Sequence, residues 1–270
     1  MSARRAMMET GVERVPVDVV RYLSELVERV RAIYRGRLVS VGAVGSLALG
    51  DYRHGRSDID ITVVVDPAAP TRLAHELADA LAHPGLCCPA AGLELVVYDA
   101  GFAASGAPGA GYLLNLNTGP LLPAVADFES ADAPGFWYVI DRAIGHQSGW
   151  TLSGHPIREV LGAPARPDLL TAVSASVREH ASGAGHLADN RVLNGCRSVH
   201  FCKVGGWVSK RVAGRSIAAD EKRFRPLVEA ALRSFERPRE SALELPVGEV
   251  DEFMGWARRA VDRIAGGTAS

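Results

Sequence analysis

Between Ser57 and Val65 the chain reads Ser-Asp-Ile-Asp-Ile-Thr-Val-Val-Val, a β-branched run that opens on two carboxylates. Alternate residues of a strand leave on the same face, so Asp58 and Asp60 project together while Ile59 points into a core. A chain built on this segment is organised by a sheet that is apolar on one side and carries paired acids on the other. Leu38 to Val44 reads as a short buried strand before it, and Leu93 to Tyr98 as a third strand after it.

The elements between and around these strands follow from periodicity. From Pro16 to Tyr34 the residues Val17, Val20, Leu23, Leu26, Val27, Val30 and Ile33 recur at three and four, with Pro16 in the first turn, which predicts an amphipathic helix. Thr71 to His83 is a second helix, separating the second and third strands. Gly101 to Gly111 is rich in Gly, Ala, Ser and Pro and reads as a loop. Tyr112 to Leu116 returns as a strand before the turn that starts at Asn117. Beyond Pro134 strand signals end: Phe136–His146, Pro167–Ala181, Asn190–Trp207, Glu221–Phe235 and Val247–Ile264 carry helical spacing. The expected fold is an α/β (α+β) domain with a small mixed sheet over residues 1–155, followed by an all-α helical bundle over 156–270.

Composition narrows the function classes. Of 270 residues, 47% are hydrophobic and 23% charged, which excludes a disordered or fibrous chain. Thirty Lys and Arg against thirty-one Asp and Glu give a net charge of −1, so the basic surplus of a nucleic-acid or anionic-lipid binder is missing. The acids exceed the bases in the first half and the reverse holds in the second. The four cysteines, Cys87, Cys88, Cys196 and Cys202, make neither a disulfide framework nor a metal knuckle, which suits a reducing cytoplasm. Met1 to Pro16 has no apolar stretch of the signal-peptide kind, and no run approaches the ~18 apolar residues that span a bilayer.

The chemistry concentrates around the two aspartates. Paired carboxylates on one strand face suit hard, oxygen-seeking cations. Upstream, Gly45-Ser46 follows a strand and opens a helical turn, where backbone amides and the serine hydroxyl can meet phosphate oxygens and the glycine lets the backbone approach closely. Phosphates beside metal carboxylates point to phosphoryl or nucleotidyl transfer. Glu94, early in the third strand, is the third carboxylate, as a further ligand or as a general base. Gly45-x4-Gly50 has the glycine spacing of a P-loop, but Asp51 stands where the phosphate-binding lysine belongs, so that reading fails. Gly106-x-x-Gly109-x-Gly111 precedes strand-like residues and not a helix, which removes a dinucleotide fingerprint. An Asp-x-Asp alone would mean a solvated strand start; the Gly-Ser placed before it is what singles this one out.

Gly-Ser, ten residues, then Ser-Asp-x-Asp before a hydrophobic strand resembles the signature of the nucleotidyltransferase superfamily related to DNA polymerase β. The resemblance continues through Leu93-Glu94-Leu-Val-Val, Val192-Leu-Asn-Gly-Cys-Arg197 and Gly206-Trp-Val-Ser-Lys210-Arg-Val-Ala to the streptomycin/spectinomycin (aminoglycoside) adenylyltransferases and their C-terminal helical domain. It implies a nucleotidyltransferase domain followed by a helical domain, with ATP and two Mg2+ in the cleft between them. It implies further that Gly45, Ser46 and Ser57 meet the ATP phosphates, that Asp58 and Asp60 hold the metal, and that Glu94 is the catalytic base. By the same resemblance Arg197 and Lys210 bind phosphate, and AMP is transferred to a hydroxyl with loss of pyrophosphate.

Read from the residues alone, Asn190, Asn194, Arg197 and Phe201 share one helical stripe, which is either a polar face turned to a cleft or a solvated face. Lys210 is one of three lysines, with Lys203 and Lys222. Arg53 and Arg56 read as exposed loop arginines that can also reach a triphosphate. The family's streptomycin binders place a tryptophan after the third-carboxylate strand, and a tryptophan and an aspartate at the start of the helical domain. The corresponding stretches here are Tyr112-Leu-Leu-Asn-Leu-Asn and Arg178-Glu-His-Ala-Ser-Gly, which argues against streptomycin. Phe235 stands where the family has a tyrosine near the adenine, and Glu179 and Asp189 read as solvated helix ends or as seats for a cationic acceptor. The expected partners are ATP and a small hydroxylated, aminoglycoside-like acceptor, with no nucleic acid and no membrane. The alternatives are a protein or RNA acceptor, or a non-catalytic nucleotide-binding module.

Overall fold

A computed structural model describes residues 15–183 and 185–267; all of the Met1 to Pro16 reading except its last two residues falls outside them. The chain divides after Pro164 into two compact units. In the first, α1 (Val17–Tyr34) leads into β1 (Leu38–Ala43), α2 (Gly45–Ala48), β2 (Ile59–Val65), α3 (Arg72–Leu81) and β3 (Leu93–Asp99). Then come α4 (Ala100–Ser105), β4 (Leu114–Thr118), β5 (Val125–Asp127), α5 (Phe136–Ser148), β6 (Trp150–Gly154) and α6 (Ile157–Val160).

The six strands form one mixed sheet in the order β5-β4-β3-β2-β1-β6. Only β2 and β3 run parallel, because α3 makes the crossover between them; the other pairs are antiparallel. One face is apolar from β6 across to β4. Val41, Ile59, Ile61, Val63, Leu93, Leu95, Leu114 and Leu116 are buried there against Leu23, Leu26 and Val30 of α1 and Leu77 and Leu81 of α3. That face is why the amphipathic stripe of α1 was legible: every third or fourth residue seals it. On the opposite face Val64 and Tyr98 pack with Tyr112, Tyr138 and Ile157, and the polar ends of the strands stay half-buried beside them.

Two expectations are corrected in this unit. Strands do not end at Pro134: β6 adds to β1 as the sheet's edge, although its sequence, Trp-Thr-Leu-Ser-Gly, carries little β signal apart from alternation. Helix α5, inside the residues 1–155 expected for the α/β domain, belongs to the first unit. Nor is 101–111 all loop. Asp99 caps α4 by accepting from the Phe102 N–H at 2.9 Å, and Gly106 ends it in the left-handed conformation at φ 66°. The remaining turn is held by Arg142 of α5, whose guanidinium is fully buried and donates to the carbonyls of Ala107, Gly109 and Ala110 under the rings of Tyr98 and Phe102.

The second unit is helical: α7 (Arg166–Ser182), α8 (Ala188–Val204), α9 (Lys210–Asp220), α10 (Arg225–Phe235) and α11 (Val247–Gly267). Helix α8 is central, with Val192, Leu193, Cys196 and Val199 all at 0% exposure. Gly195 lets α11 approach, since a Cβ there would stand 3.0 Å from Phe253 and 3.2 Å from Met254 Sδ. Helix α9 was not foreseen in the sequence; its start is fixed by Ser209, whose hydroxyl accepts from the Val212 N–H at 3.2 Å. Among the described residues no helix is long and apolar enough to cross a membrane.

Candidate active site

The site begins where β1 ends. The Val44 N–H donates to the Asp60 carbonyl at 2.9 Å, extending the β1–β2 pairing, and the backbone then turns at Gly45 with φ 55° into α2. A Cβ on Gly45 would lie 1.9 Å from Asp60 Oδ2. Glycine is therefore required twice, by the dihedral angle and by the carboxylate lying against its backbone. The Ser46 N–H points to the same oxygen at 3.4 Å. The Ser46 Oγ is buried with no hydrogen-bond partner, an unsatisfied group beside paired acids.

Strand register supplies the third carboxylate. Asp60 pairs in parallel with Glu94, so the two leave the same face from neighbouring strands, about 4.8 Å apart along the sheet. Ile59 and Leu93, the preceding pair, lie in the apolar core and fix that orientation. A one-residue slip would bury both acids, so the register is set by hydrophobic burial. Asp58 comes two residues before Asp60, ahead of the strand proper.

Ser57 is held by a tight turn. Its Oγ accepts from the Arg53 N–H at 3.0 Å and its N–H donates to the Arg53 carbonyl at 2.7 Å, leaving the hydroxyl proton available to a ligand. Arg56 in this turn is only 3% exposed, which corrects its reading as an exposed loop arginine; Arg53 is half-buried.

Among the described residues no three Asp, Glu, His or Cys groups converge into a protein-only metal cage. Two carboxylates with substrate phosphate and water are nevertheless what Mg2+ ordinarily takes, and the all-oxygen donor set with the Gly45 cradle and the unsatisfied Ser46 Oγ fits that mode. Beyond Glu94 lie residues the sequence reading did not assign. Asn117 of β4 is the antiparallel partner of Glu94, and Asp127 of β5 that of Asn115. The Tyr112 hydroxyl donates to Asp127 Oδ2 at 2.5 Å, which holds that carboxyl below its usual range. Tyr138 packs on Tyr112 at 5.0 Å between centroids. Its pKa is pushed up to about 12, chiefly by burial, with the charges of Asp127, Asp141 and Glu94 adding to the rise. Only strand pairing brings these groups together.

In the helical unit, Arg197 lies over the Trp207 ring at 6.0 Å. Lys210 donates to Asn190 Oδ1 at 3.1 Å and sits 5.7 Å from the centre of Phe235. Both cations act on His180, whose Nδ1 lies 2.8 Å from the Ser176 carbonyl and whose Nε2 lies 2.7 Å from Asn194 Nδ2. With Asn194 donating, Nε2 is the accepting nitrogen and the ring is neutral. Burial, then repulsion from His186, Lys210 and Arg197, lowers its pKa to about 3. The α8 stripe is thus a polar face turned onto α7 and α9 and not a solvated one. Arg191, not singled out in the sequence, bonds the His180 carbonyl at 2.8 Å and Asp251 at 2.7 Å. Asp189 is no solvated helix end: it is 1% exposed and accepts from the Ser234 hydroxyl.

Residues 23–83 match the family described as the nucleotidyltransferase domain, a span that holds Gly45, Ser46, Ser57, Asp58 and Asp60 and stops short of Glu94. The match lies wholly within the first unit. Among solved structures, the whole fold resembles a spectinomycin adenyltransferase, AAD(9) from Enterococcus faecialis, determined with ATP and spectinomycin. The TM-score is 0.67 at 15% identity, over 90% of this chain and 98% of that one. A CD-NTase from Bradyrhizobium diazoefficiens solved with GTP aligns over 99% of this chain and 86% of its own, at 16% identity and a TM-score of only 0.28. No curated protein sequence matches the chain.

Proposed function

We propose that the protein is a magnesium-dependent O-nucleotidyltransferase that moves AMP from ATP to a hydroxyl of a small, aminoglycoside-like acceptor and releases pyrophosphate. The observation that carries this reading is the in-register placement of Glu94 beside Asp60, whose carboxylate lies against the Gly45 backbone. Magnesium, when bound, would be held by Asp58 and Asp60 and would neutralise the triphosphate for attack at the α-phosphorus. The Ser46 and Ser57 hydroxyls donate to phosphate oxygens, and Gly45 keeps the turn open for them. Glu94 takes the acceptor's hydroxyl proton; the acceptor oxygen bonds the α-phosphorus as its bond to the bridging oxygen breaks, and pyrophosphate leaves with that electron pair. Arg197 and Lys210 are assigned to the phosphates, a planar fork and a point charge for oxyanions. Spectinomycin, the ligand of the similar structure, is the first acceptor to try.

The test is pyrophosphate release from Mg-ATP with spectinomycin and an aminoglycoside panel. Wild type should yield an adenylylated product; Glu94→Gln and Asp60→Asn should reduce turnover by about 10²–10⁴-fold. ATP binding with no turnover on any hydroxylated acceptor would leave a binding module instead. Transfer to a protein or RNA hydroxyl alone would retain the chemistry and replace the acceptor.

A further inference from the structure

The sheet carries a polar row that continues past the proposed base. Asp60 on β2, Glu94 on β3 and Asn117 on β4 are successive register partners, so their side chains leave one face one strand spacing apart, together spanning about 10 Å. Asn115 follows two residues earlier on the same face of β4, because Leu114 and Leu116 take the alternate positions in the apolar core. Both asparagines are half-buried, and among the described residues neither carboxamide makes a hydrogen bond to the protein. An asparagine at mid-strand is unfavourable by propensity, and two alternating on a central strand without partners call for another reason.

Direction supplies it. If phosphate and cation are on the Asp60 side of Glu94, the hydroxyl being deprotonated lies over Glu94 and the body of the acceptor extends over β4. We infer that Asn117, assisted by Asn115, recognises hydroxyl groups of the acceptor adjacent to the one that is adenylylated. The inference rests on the assignment of Glu94 and Asp60 above. A carboxamide offers two N–H donors and one accepting oxygen without charge, the complement of a vicinal diol. Carboxylates at these positions would favour an ammonium and would repel Glu94. Acids lie one strand further out, at Asp127, which its bond to Tyr112 already engages. The acceptor end facing the base is thus a hydroxylated ring edge and not an amino group, which also disfavours an isolated serine or tyrosine of a protein.

The experiment compares wild type, Asn117→Ala and Asn115→Ala using spectinomycin. Two readouts are taken: steady-state transfer, and calorimetric binding of spectinomycin in the Glu94→Gln background, which does not depend on turnover. Asn117→Ala should raise the acceptor KM at least tenfold and weaken binding to match, with the KM for ATP unchanged. Asn115→Ala should do so less. Removing the neighbouring hydroxyl from the acceptor should abolish the difference between wild type and Asn117→Ala. Unchanged melting temperatures are expected, since neither carboxamide bonds the protein. Transfer indifferent to both asparagines overturns the inference and leaves the proposed activity standing. Asparagine-dependent binding without transfer to any acceptor overturns the proposed activity and, with it, the inference that rests on it. Absence of both binding and transfer overturns the inference.

Discussion

A single atom that is missing, the Cβ of residue 45, decides whether Asp60 can occupy its place. Gly45→Ala would force that atom to within 1.9 Å of the carboxylate and strain a backbone already at φ 55°. A misplacement of about 1 Å in a reacting constellation costs on the order of 10²-fold. We expect Gly45→Ala to fold and to lose at least that much in kcat, measured by pyrophosphate release alongside circular dichroism; wild-type turnover in a folded variant would show that the cradle is dispensable. Tyr112 gives a second residue-scale prediction. Its hydroxyl holds the Asp127 carboxyl below the usual value, so the bond stabilises the folded state above the ordinary carboxylate range, near pH 4, and the stabilisation fades as pH falls through the lowered value. The gap in urea midpoint between wild type and Tyr112→Phe should therefore close in acid, and an NMR titration of Asp127 should move upward in the variant.

Elements are held by a few buried polar clamps. Arg142 joins α5 to the turn after α4 through three carbonyls and two aromatic rings, at 0% exposure. Replacing it by methionine keeps much of the volume and leaves those carbonyls without donors, at about 1–3 kcal/mol for each buried group. Arg142→Met should lower the melting temperature by several degrees, and a variant as stable as wild type would mean that the turn relaxes to water. His180 ties α7 to α8 in its neutral form. Its folded pKa of about 3 lies far below the ordinary value of 6.5, so unfolding takes up a proton throughout the interval between them. Stability is complete above pH 6.5 and declines as pH falls towards 3. His180→Gln should flatten that decline in denaturant titrations of the full chain, whatever it does at neutral pH.

At the scale of the whole molecule, the near balance of charges, −1 overall, removes the long-range attraction that a polyanionic acceptor would need. No complex with tRNA is expected at an ionic strength of about 0.15 M, where screening leaves only local charge. Filter binding tests this, and a tight complex would move the acceptor assignment to RNA. On the proposed assignment of Arg197 and Lys210 to phosphate, removing either should weaken Mg-ATP binding while leaving the first unit folded, since both belong to the second.

The site's centre was legible because strand alternation is local: Asp58, Ile59 and Asp60 announce their faces within three residues, and Gly45-Ser46 announces a tight turn. Helices α1, α7, α8 and α11 were legible for the same reason, each carrying apolar residues at helical spacing that are buried in the fold. Edge strand β6 was not, since an edge is defined by its partner β1 and needs little sequence signal of its own. Helix α9 was missed because its starting cap, Ser209, resembles any loop serine until the chain turns at it. The burial of Arg56 and Asp189, the clamp of Arg142 and the neutral state of His180 depend on what stands across from them. The row Asp60, Glu94, Asn117 is the clearest case: sequence alone determined that the acids alternate out of a core, and only tertiary pairing decided that an asparagine comes next, because register is set between strands by the apolar face they bury together.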